Sequence, residues 1–360
     1  MIARHARAGQ TRPVPLIRSA PVIAGVRFLE RSGAPAMRIA DAVDLPRAAL
    51  CDPEMLIPLH LCGRFAARVA RSEGLDDFGF RFAAASPLEG LGSFGALLAQ
   101  ATTLREACDQ AARTRDLFNS GARIWLAHEG DRVWVRQAMD PGIEEGRREL
   151  EQFWALKVLQ LVRAAAGPES PSIELHLRSP EIRSARDNPL LSDIDVRFGQ
   201  CATAVSFPSV LLGRSLRPRE SIHPRGEFER RLAASRPAAD FVSSVRQVTG
   251  ALLEPGYPDV RRVAAAIGLS ARTLQRRLAE CGESYSRLVA NERFARAVAL
   301  LRDEPASITR IALALGYRDL ATFTHAFHRW TGGSPREFRR RAAASTRPER
   351  AAASDAGAAQ

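Results

Sequence analysis

Two segments near the end of the chain share one pattern: a short apolar run, a glycine, and a second run with apolar residues at helical spacing. The first copy covers residues 263–278 around Gly268, and the second covers residues 311–327 around Gly316. A glycine at this point can adopt the left-handed conformation that reverses the chain between two helices. Each copy therefore predicts a helix-turn-helix unit, and the two units are 48 residues apart.

The second helix of each copy has an apolar face and a polar face. Leucines in the first copy and phenylalanines in the second recur four residues apart, which anchors one face to a core. The outward positions carry long or polar donors, the residue types that reach base edges and phosphates in a major groove. The candidate DNA-contacting residues are Ser270, Arg272, Gln275, Arg276, Thr322, Thr324, His325 and Arg329. A single copy could equally be a solvated polar face, whereas two copies in series favour nucleic-acid binding.

The charge around these units supports the same interpretation. Residues 240–341 contain 17 arginines, no lysine and 10 acidic residues, and therefore carry a net charge of +7. A basic module of this size attracts a polyanion, and nucleic acid is the usual one. Single-stranded RNA is disfavoured, because the module lacks the interleaved aromatic residues on which unpaired bases stack.

The rest of the chain predicts a separate domain in which helical and strand patterns alternate. Helices are expected over 59–69, 103–118 and 149–165, and strands over 123–128, 132–136, 173–177 and 203–207. The predicted organisation is a flexible leader (1–19), an α+β domain (20–216), a Pro- and Arg-rich linker (217–239), an all-α domain with the two helix-turn-helix units (240–341) and a disordered tail (342–360). A short amphipathic helix within the linker, over 227–232, is compatible with its sequence.

The stretch 308–339 contains, in order, I-A, a glycine followed by an aromatic residue, F-x-x-x-F, W-x-G, and S-P before an aromatic residue and arginine. Together with the S-x-R-x-L-x-R of the first copy, this order resembles the DNA-binding module of AraC/XylS-type transcriptional regulators. The resemblance implies seven helices, with two recognition helices on one face of the DNA. The sequence departs from the family at His325 and His328, where the family usually has basic residues, so contacts from the second recognition helix are expected to be weaker.

The first domain also resembles a domain of such regulators. Its Phe78-Gly-Phe80, its Gly95, residues 103–107 and the late run over 198–212 are similar in order to the effector-binding domain of the ornithine- and arabinose-sensing branch. The odd, scattered cysteines are typical of a protein in a reducing cytoplasm. The resemblance implies a ligand-responsive, sequence-specific transcriptional activator that is not an enzyme and has no cofactor or metal. The expected partners are double-stranded promoter DNA, a small-molecule effector, RNA polymerase and a second copy of the chain. The sequence assigns no residue to the effector, and no apolar run approaches the ~18 residues of a membrane span.

Two short patterns favour other kinds of site. Gly90, Gly92 and Gly95 match G-x-G-x-x-G, but a dinucleotide site needs a strand that ends at the first glycine, and a tight packing turn is the preferred interpretation. His325 and His328 stand three residues apart on a helix and could share a metal, but no nearby Cys, Asp or Glu completes a ligand set.

The cysteines allow one alternative from another functional class. A DNA-repair methyltransferase-type protein would place a reactive, methyl-accepting cysteine beside the same DNA-binding module, flanked by metal-ligating cysteines. The five cysteines here are isolated from one another, which opposes that chemistry: Cys51, Cys62, Cys108, Cys201 and Cys281. A redox-responsive thiol at Cys281, next to several arginines, is a further hypothesis, against which stands the simpler role of a small residue in a turn.

Overall fold

The computed structural model describes residues 12–169, 171–185, 187–216, 224–252, 258–303 and 306–342. Within these ranges the chain forms an α+β domain followed by an all-helical domain, which confirms the predicted fold class. The predicted tail beyond residue 342, the first eleven residues of the leader and residues 217–223 of the linker lie outside the described residues.

The first domain alternates helices with short strands. Its helices are α1 (Ala20–Arg31), α2 (Ala36–Ala42), α3 (Leu59–Glu73), α4 (Phe78–Ala85), α5 (Gly92–Ala99), α6 (Leu104–Phe118) and α7 (Arg147–Ala166). Its strands are β1 (Leu16–Arg18), β2 (Leu56–Pro58), β3 (Ala122–Glu129), β4 (Arg132–Met139), β5 (Ile173–His176), β6 (Ile194–Arg197) and β7 (Thr203–Pro208). The predicted hairpin is β3–β4, in which Trp125 pairs with Arg136.

The strands of the described ranges form two sheets. In the larger sheet the order is β3-β4-β7-β5-β6, antiparallel except for the parallel pair β5–β6. The 20-residue helix α7 packs on this sheet, because Leu156, Leu159 and Val162 are fully buried along one of its faces. They join Val205 and Phe207 of β7 in the main core of the domain.

The smaller sheet corrects one prediction. Strand β1 pairs antiparallel with β2, so that Leu16 lies opposite Pro58. Leu16 and Arg18 are fully buried, and residues 12–19 are therefore not a flexible leader. Periodicity could not indicate this strand, because it is only three residues long and is buried on both faces.

The linker and the second domain are helical. Their helices are α8 (Arg225–Ala234), α9 (Phe241–Ala251), α10 (Val260–Ala266), α11 (Ala271–Glu280), α12 (Tyr285–Asp303), α13 (Ile308–Ala314) and α14 (Leu320–Thr331), and residues 335–342 are also helical. The linker prediction is wrong over α8, whose Phe228 and Leu232 pack against Phe94 and Leu97 of α5. Helix α8 extends the short helix that the sequence allowed over 227–232.

Membrane insertion was tested on the described part of the chain. No single helix there is long and apolar enough to cross a bilayer. The segments Phe78–Ala85 and Leu88–Ala99 satisfy the length and composition test only as a pair, and they are bent by 111° relative to each other.

Candidate nucleic-acid interface

The first helix-turn-helix unit is built by α10, a glycine turn and α11. The Asp259 carboxylate caps α10 by accepting a hydrogen bond from the Arg261 N–H at 3.2 Å. Gly268 has φ +72°, the left-handed conformation that the sequence predicted for the turn. The Ser270 hydroxyl then caps α11 by accepting from the Thr273 N–H at 3.1 Å. These local signals fix where each helix begins.

Helix α11 presents the predicted polar face to solvent. Leu274 and Leu278 are fully buried, whereas Arg272, Gln275 and Arg276 are exposed. The Arg276 guanidinium donates to a Glu280 carboxylate oxygen at 2.7 Å across one helical turn. An exposed pair of this kind contributes about 0–1 kcal/mol. Arg276 can therefore exchange this partner for a base or a phosphate at little cost.

The second unit has the same construction. The Ser307 hydroxyl caps α13 by accepting from the Arg310 N–H at 3.2 Å, and Gly316 has φ +74°. Asp319 caps α14 by accepting from the Thr322 N–H at 2.7 Å. The hydrogen bonds from Thr322 lower the pKa of the Asp319 carboxyl, so this cap is charged at neutral pH.

Helix α14 is anchored by aromatic residues and leaves three of its candidate residues on one face. Phe323 and Phe327 are fully buried, with ring centroids 5.7 Å apart. Thr322, His325 and Arg329 are exposed at positions i, i+3 and i+7, which share a helix face.

Thr324 does not share the exposed face of α14. It is half-buried, and its hydroxyl donates to the Leu320 carbonyl at 2.8 Å on the helix's own backbone. The helical periodicity places Thr324 beside the face formed by Thr322, His325 and Arg329 rather than within it.

Helix α12 connects the two units. Near its start, Tyr285, Leu288 and Val289 pack in the core of the first unit. Near its end, Ala297 and Leu301 pack in the core of the second. A continuous helix of 19 residues spans about 28 Å.

The first unit also packs against the first domain. Val14 and Leu16 of the N-terminal segment and Leu56 of β2 are buried in one cluster with Phe241 and Val245 of α9. The Val14 N–H donates to the hydroxyl of Ser244 at 2.8 Å.

The glycine turn of the first unit is part of this contact. A Cβ at Gly268 would lie 3.1 Å from the His60 ring of α3. Burial lowers the pKa of His60, and its Nδ1 is buried without a hydrogen-bond partner in the described structure. Gly268 is therefore required twice, by its backbone conformation and by the imidazole packed against it.

Arg18 joins α8 to the first domain. This guanidinium is fully buried and donates to the Leu232 carbonyl at 2.7 Å and to the Ser235 hydroxyl at 2.9 Å, at the end of α8. It also forms an ion pair with Glu54 at 2.9 Å and donates to the Leu117 carbonyl at 2.9 Å. No sequence pattern indicates this role, because a lone arginine in an apolar run has no periodicity.

Two family models match the chain. Residues 263–341 match a helix-turn-helix domain, and residues 33–216 match the N-terminal arabinose-binding domain of AraC transcription regulators. The second match covers half of the 360 residues. The chain belongs to the AraC-type transcriptional regulators. It is a ligand-responsive, DNA-binding regulator of transcription, with an N-terminal ligand-binding domain, as the sequence predicted.

Several known regulators are similar to this chain over most or part of its length. An uncharacterised HTH-type transcriptional regulator of Mycobacterium tuberculosis is 29% identical over 336 residues, which are 86% of this chain and 92% of that protein. The ornithine utilization regulator of Pseudomonas aeruginosa is 34% identical over 89 residues, 24% of this chain and 26% of that protein. The crystal structure of the transcriptional regulator CdpR from Pseudomonas aeruginosa is 25% identical, covers 77% of this chain and 96% of its own, and has a TM-score of 0.34.

The glycine motif of this AraC-type chain is a packing turn. Gly90, the first glycine, lies within a short 3-10 helix, Leu88–Leu91, where a dinucleotide site requires the end of a strand. A Cβ at Gly95 would overlap the Leu88 carbonyl, so this glycine permits close packing of α5 on the preceding turn. The motif therefore serves the core of the domain.

The methyltransferase alternative has no support. Burial raises the pKa of the Cys62 and Cys108 thiols to about 12, which opposes the thiolate that a methyl acceptor needs. Cys51, Cys201 and Cys281 are exposed. In the described part of the chain, neither these cysteines nor His325 belongs to a group of three metal-ligating side chains.

Proposed function

We propose that this regulator activates transcription by reading promoter DNA through α11 and α14. Arg272, Gln275 and Arg276 are the first set of contacts, and Thr322, His325 and Arg329 are the second. The observation that carries the proposal is that each set is exposed on a helix whose opposite face is fully buried and whose start is capped.

The proposed partners follow from this arrangement. Promoter DNA binds the second domain in the cytoplasm, a small effector binds the first, and RNA polymerase is recruited by the bound protein. The protein acts as a homodimer, so that each promoter presents two sites. We place the effector-binding domain up to residue 216 and the DNA-binding domain from residue 240 to residue 341.

The contacts of the first unit suggest how the effector acts. The turn at Gly268 rests on His60, and the end of α8 is held by Arg18. An effector that changes the first domain would therefore alter how the first recognition helix is held. Only an effector with different affinities for the two arrangements can shift their populations.

Selection of DNA fragments by the purified full-length protein tests the proposal. Affinity for the selected site would be measured by fluorescence anisotropy at one fixed salt concentration, because phosphate contacts depend on salt. Arg276→Ala should weaken binding by about 1–3 kcal/mol, as expected for a bidentate guanine contact. Arg38→Ala removes an equally exposed arginine from α2 of the first domain and should bind like the unaltered protein.

The outcomes separate the parts of the proposal. If Arg276→Ala and Arg329→Ala both bind as tightly as Arg38→Ala, then α11 and α14 are not the reading helices. A reporter gene placed behind the selected promoter gives the sign of regulation. Transcription that rises when the protein is removed would refute activation while leaving DNA reading intact.

A further inference from the structure

The first domain contains a partly open apolar cavity of about 120 Å³ between its sheet and helices α5, α6 and α7. Its walls are mainly aromatic and aliphatic and include Phe94 and Leu98 of α5, Phe118 of α6, Ile124 of β3 and Phe153 of α7. A closed apolar cavity of roughly 150 Å³ holds benzene. The cavity here is slightly smaller but partly open, so it suits a small, mainly apolar molecule, one end of which can extend beyond it.

Two polar groups on the cavity wall lack partners. Gln137 of β4 is only 5% exposed, and its side-chain Oε1 makes no hydrogen bond within the described structure. Arg115 of α6 has a buried Nε without a partner, although its terminal nitrogen pairs with Asp116 at 2.7 Å. Unpaired buried groups cost free energy, and a bound molecule that pairs with them recovers it.

The charge of the wall is one-sided. Arg115 and Lys157 both line the cavity, and no Asp or Glu is among the lining residues that the structure describes. The Lys157 ammonium donates to the Ala83 carbonyl at 2.9 Å and to the Ser86 carbonyl, which are neutral acceptors, and the carboxylate that acts on its charge, Glu89, does not line the cavity. The wall therefore favours an anion over a cation or a zwitterion.

A sugar fits this wall poorly. A pyranose carries hydroxyl groups all around its ring, and each would need a hydrogen-bond partner once buried. Most of the lining side chains offer none. A molecule with one polar end and an apolar body matches the two unpartnered groups and the hydrocarbon surface together.

We propose that this cavity is the effector site and that it takes a small apolar monocarboxylate, held at its carboxylate by Arg115 and by the Gln137 amide. This inference rests on the proposed function, because it assumes that a ligand controls DNA binding. The amide of Gln137 can be turned to donate its N–H, since the oxygen and nitrogen of such a group are assigned from their partners. A carboxylate then accepts one hydrogen bond from each of the two side chains.

The cavity adjoins the surface on which helix α8 packs. Phe94 and Leu98 of α5 line the cavity and also belong to the buried cluster that holds Phe228 and Leu232 of α8. A ligand that fills the cavity presses on α5, and α5 is the surface on which α8 rests. The signal then reaches the residues that lead into the DNA-binding domain.

The test uses the purified full-length chain and hexanoate as the probe, with hexanamide as its neutral analogue and arabinose and ornithine as competitors. Binding is followed by calorimetry and by thermal stabilisation, since a ligand of the native state raises apparent stability. We expect hexanoate to bind and the other three to bind at least tenfold more weakly. Equal binding of hexanamide would refute the anionic part of the proposal, and binding of arabinose or ornithine in preference would refute the ligand class.

Variants separate recognition from folding. Arg115→Met should weaken hexanoate binding about 10- to 100-fold, the range for a lost hydrogen bond to a charged group. Arg113→Met is the matched control, because Arg113 is exposed on the same helix and does not line the cavity. Gln137→Leu should raise the melting temperature of the free protein and abolish the extra stabilisation by hexanoate. A stabilising effect of hexanoate that survives in Gln137→Leu and Arg115→Met would place its site elsewhere.

The pKa of Lys157 reports on a bound carboxylate, and it can be measured selectively because Lys157 is the single lysine of the chain. In protein labelled with ¹³C at lysine Cε, hexanoate should raise the pKa of Lys157, and hexanamide should leave it unchanged. No binding of hexanoate in a protein that still selects its promoter DNA would overturn the effector proposal alone. Loss of promoter selection itself would instead overturn the proposed function.

Discussion

Replacing Arg18 by methionine should release α8 from the first domain. Methionine keeps most of the apolar stem but removes the donors that hold the Leu232 carbonyl at 2.7 Å and the Ser235 hydroxyl at 2.9 Å. It also leaves Glu54 without its partner at 2.9 Å. Breaking a buried ion pair on one side costs about 3–5 kcal/mol.

The expected cost is near the lower end of that range. The Glu54 side chain is 22% exposed and still accepts a hydrogen bond from the Ser93 N–H at 2.7 Å, so water and the backbone partly compensate it. A loss of about 3 kcal/mol is large beside the 5–15 kcal/mol that stabilises a typical domain. The α8 backbone should also exchange its amide hydrogens faster, because its last turn has lost its anchor.

Urea unfolding followed by tryptophan fluorescence measures the stability, and hydrogen exchange with mass spectrometry measures α8. Arg27→Met is the control, since Arg27 is exposed on α1 and its replacement should stay within about 0.5 kcal/mol. A loss below about 1 kcal/mol for Arg18→Met, or unchanged exchange in α8, would refute the role of Arg18 as the anchor.

Further predictions concern the turn of the first unit and the buried lysine. Gly268→Ala should lower the melting temperature more than Gly282→Ala, because both glycines have φ near +72° but a Cβ would meet a neighbour, the His60 ring at 3.1 Å, only at Gly268. His60→Ala should remove this difference between the two glycine variants. Equal effects of the two glycine variants in the unaltered background would contradict the contact. Burial lowers the pKa of Lys157 to about 8 from its usual 10.5, so the unfolded chain binds more protons between these values. The contribution of this group to the free energy of unfolding should therefore rise as the pH rises from 8 to 10.5. Lys157→Met should remove that part of the pH dependence. A ¹³C titration of lysine Cε with a midpoint near 10.5 would contradict the lowered pKa.

The DNA-binding domain was accessible to sequence analysis because its signals are local. Each cap involves residues two or three positions apart, such as Ser270 with Thr273, and each turn depends on one glycine such as Gly316. The two buried residues of α11, and likewise of α14, are four positions apart, so the positions on the opposite side of each helix are the exposed ones. Thr324 differs from the other candidates of α14, because it is half-buried and its hydroxyl bonds to its own helix.

The contacts between the domains could not be predicted, because they join residues far apart in sequence. Val14 donates to Ser244 across 230 positions, and Arg18 reaches Leu232 across 214. Short strands such as β1 carry no periodicity, and a buried arginine resembles a surface one in a single sequence. The proposed effector cavity was equally hidden, since Gln137 and Arg115 stand on different elements and line one cavity only in the fold.

The most direct test of the central claim is to measure how single base substitutions in the selected promoter site affect binding by Arg276→Ala and Arg329→Ala. Two recognition helices in successive major grooves should each read their own bases, about 10 base pairs apart. The account predicts that each variant loses discrimination at one group of positions and keeps it at the other. Uniform weakening at every position, or loss at the same bases in both variants, would contradict a promoter read by two helices.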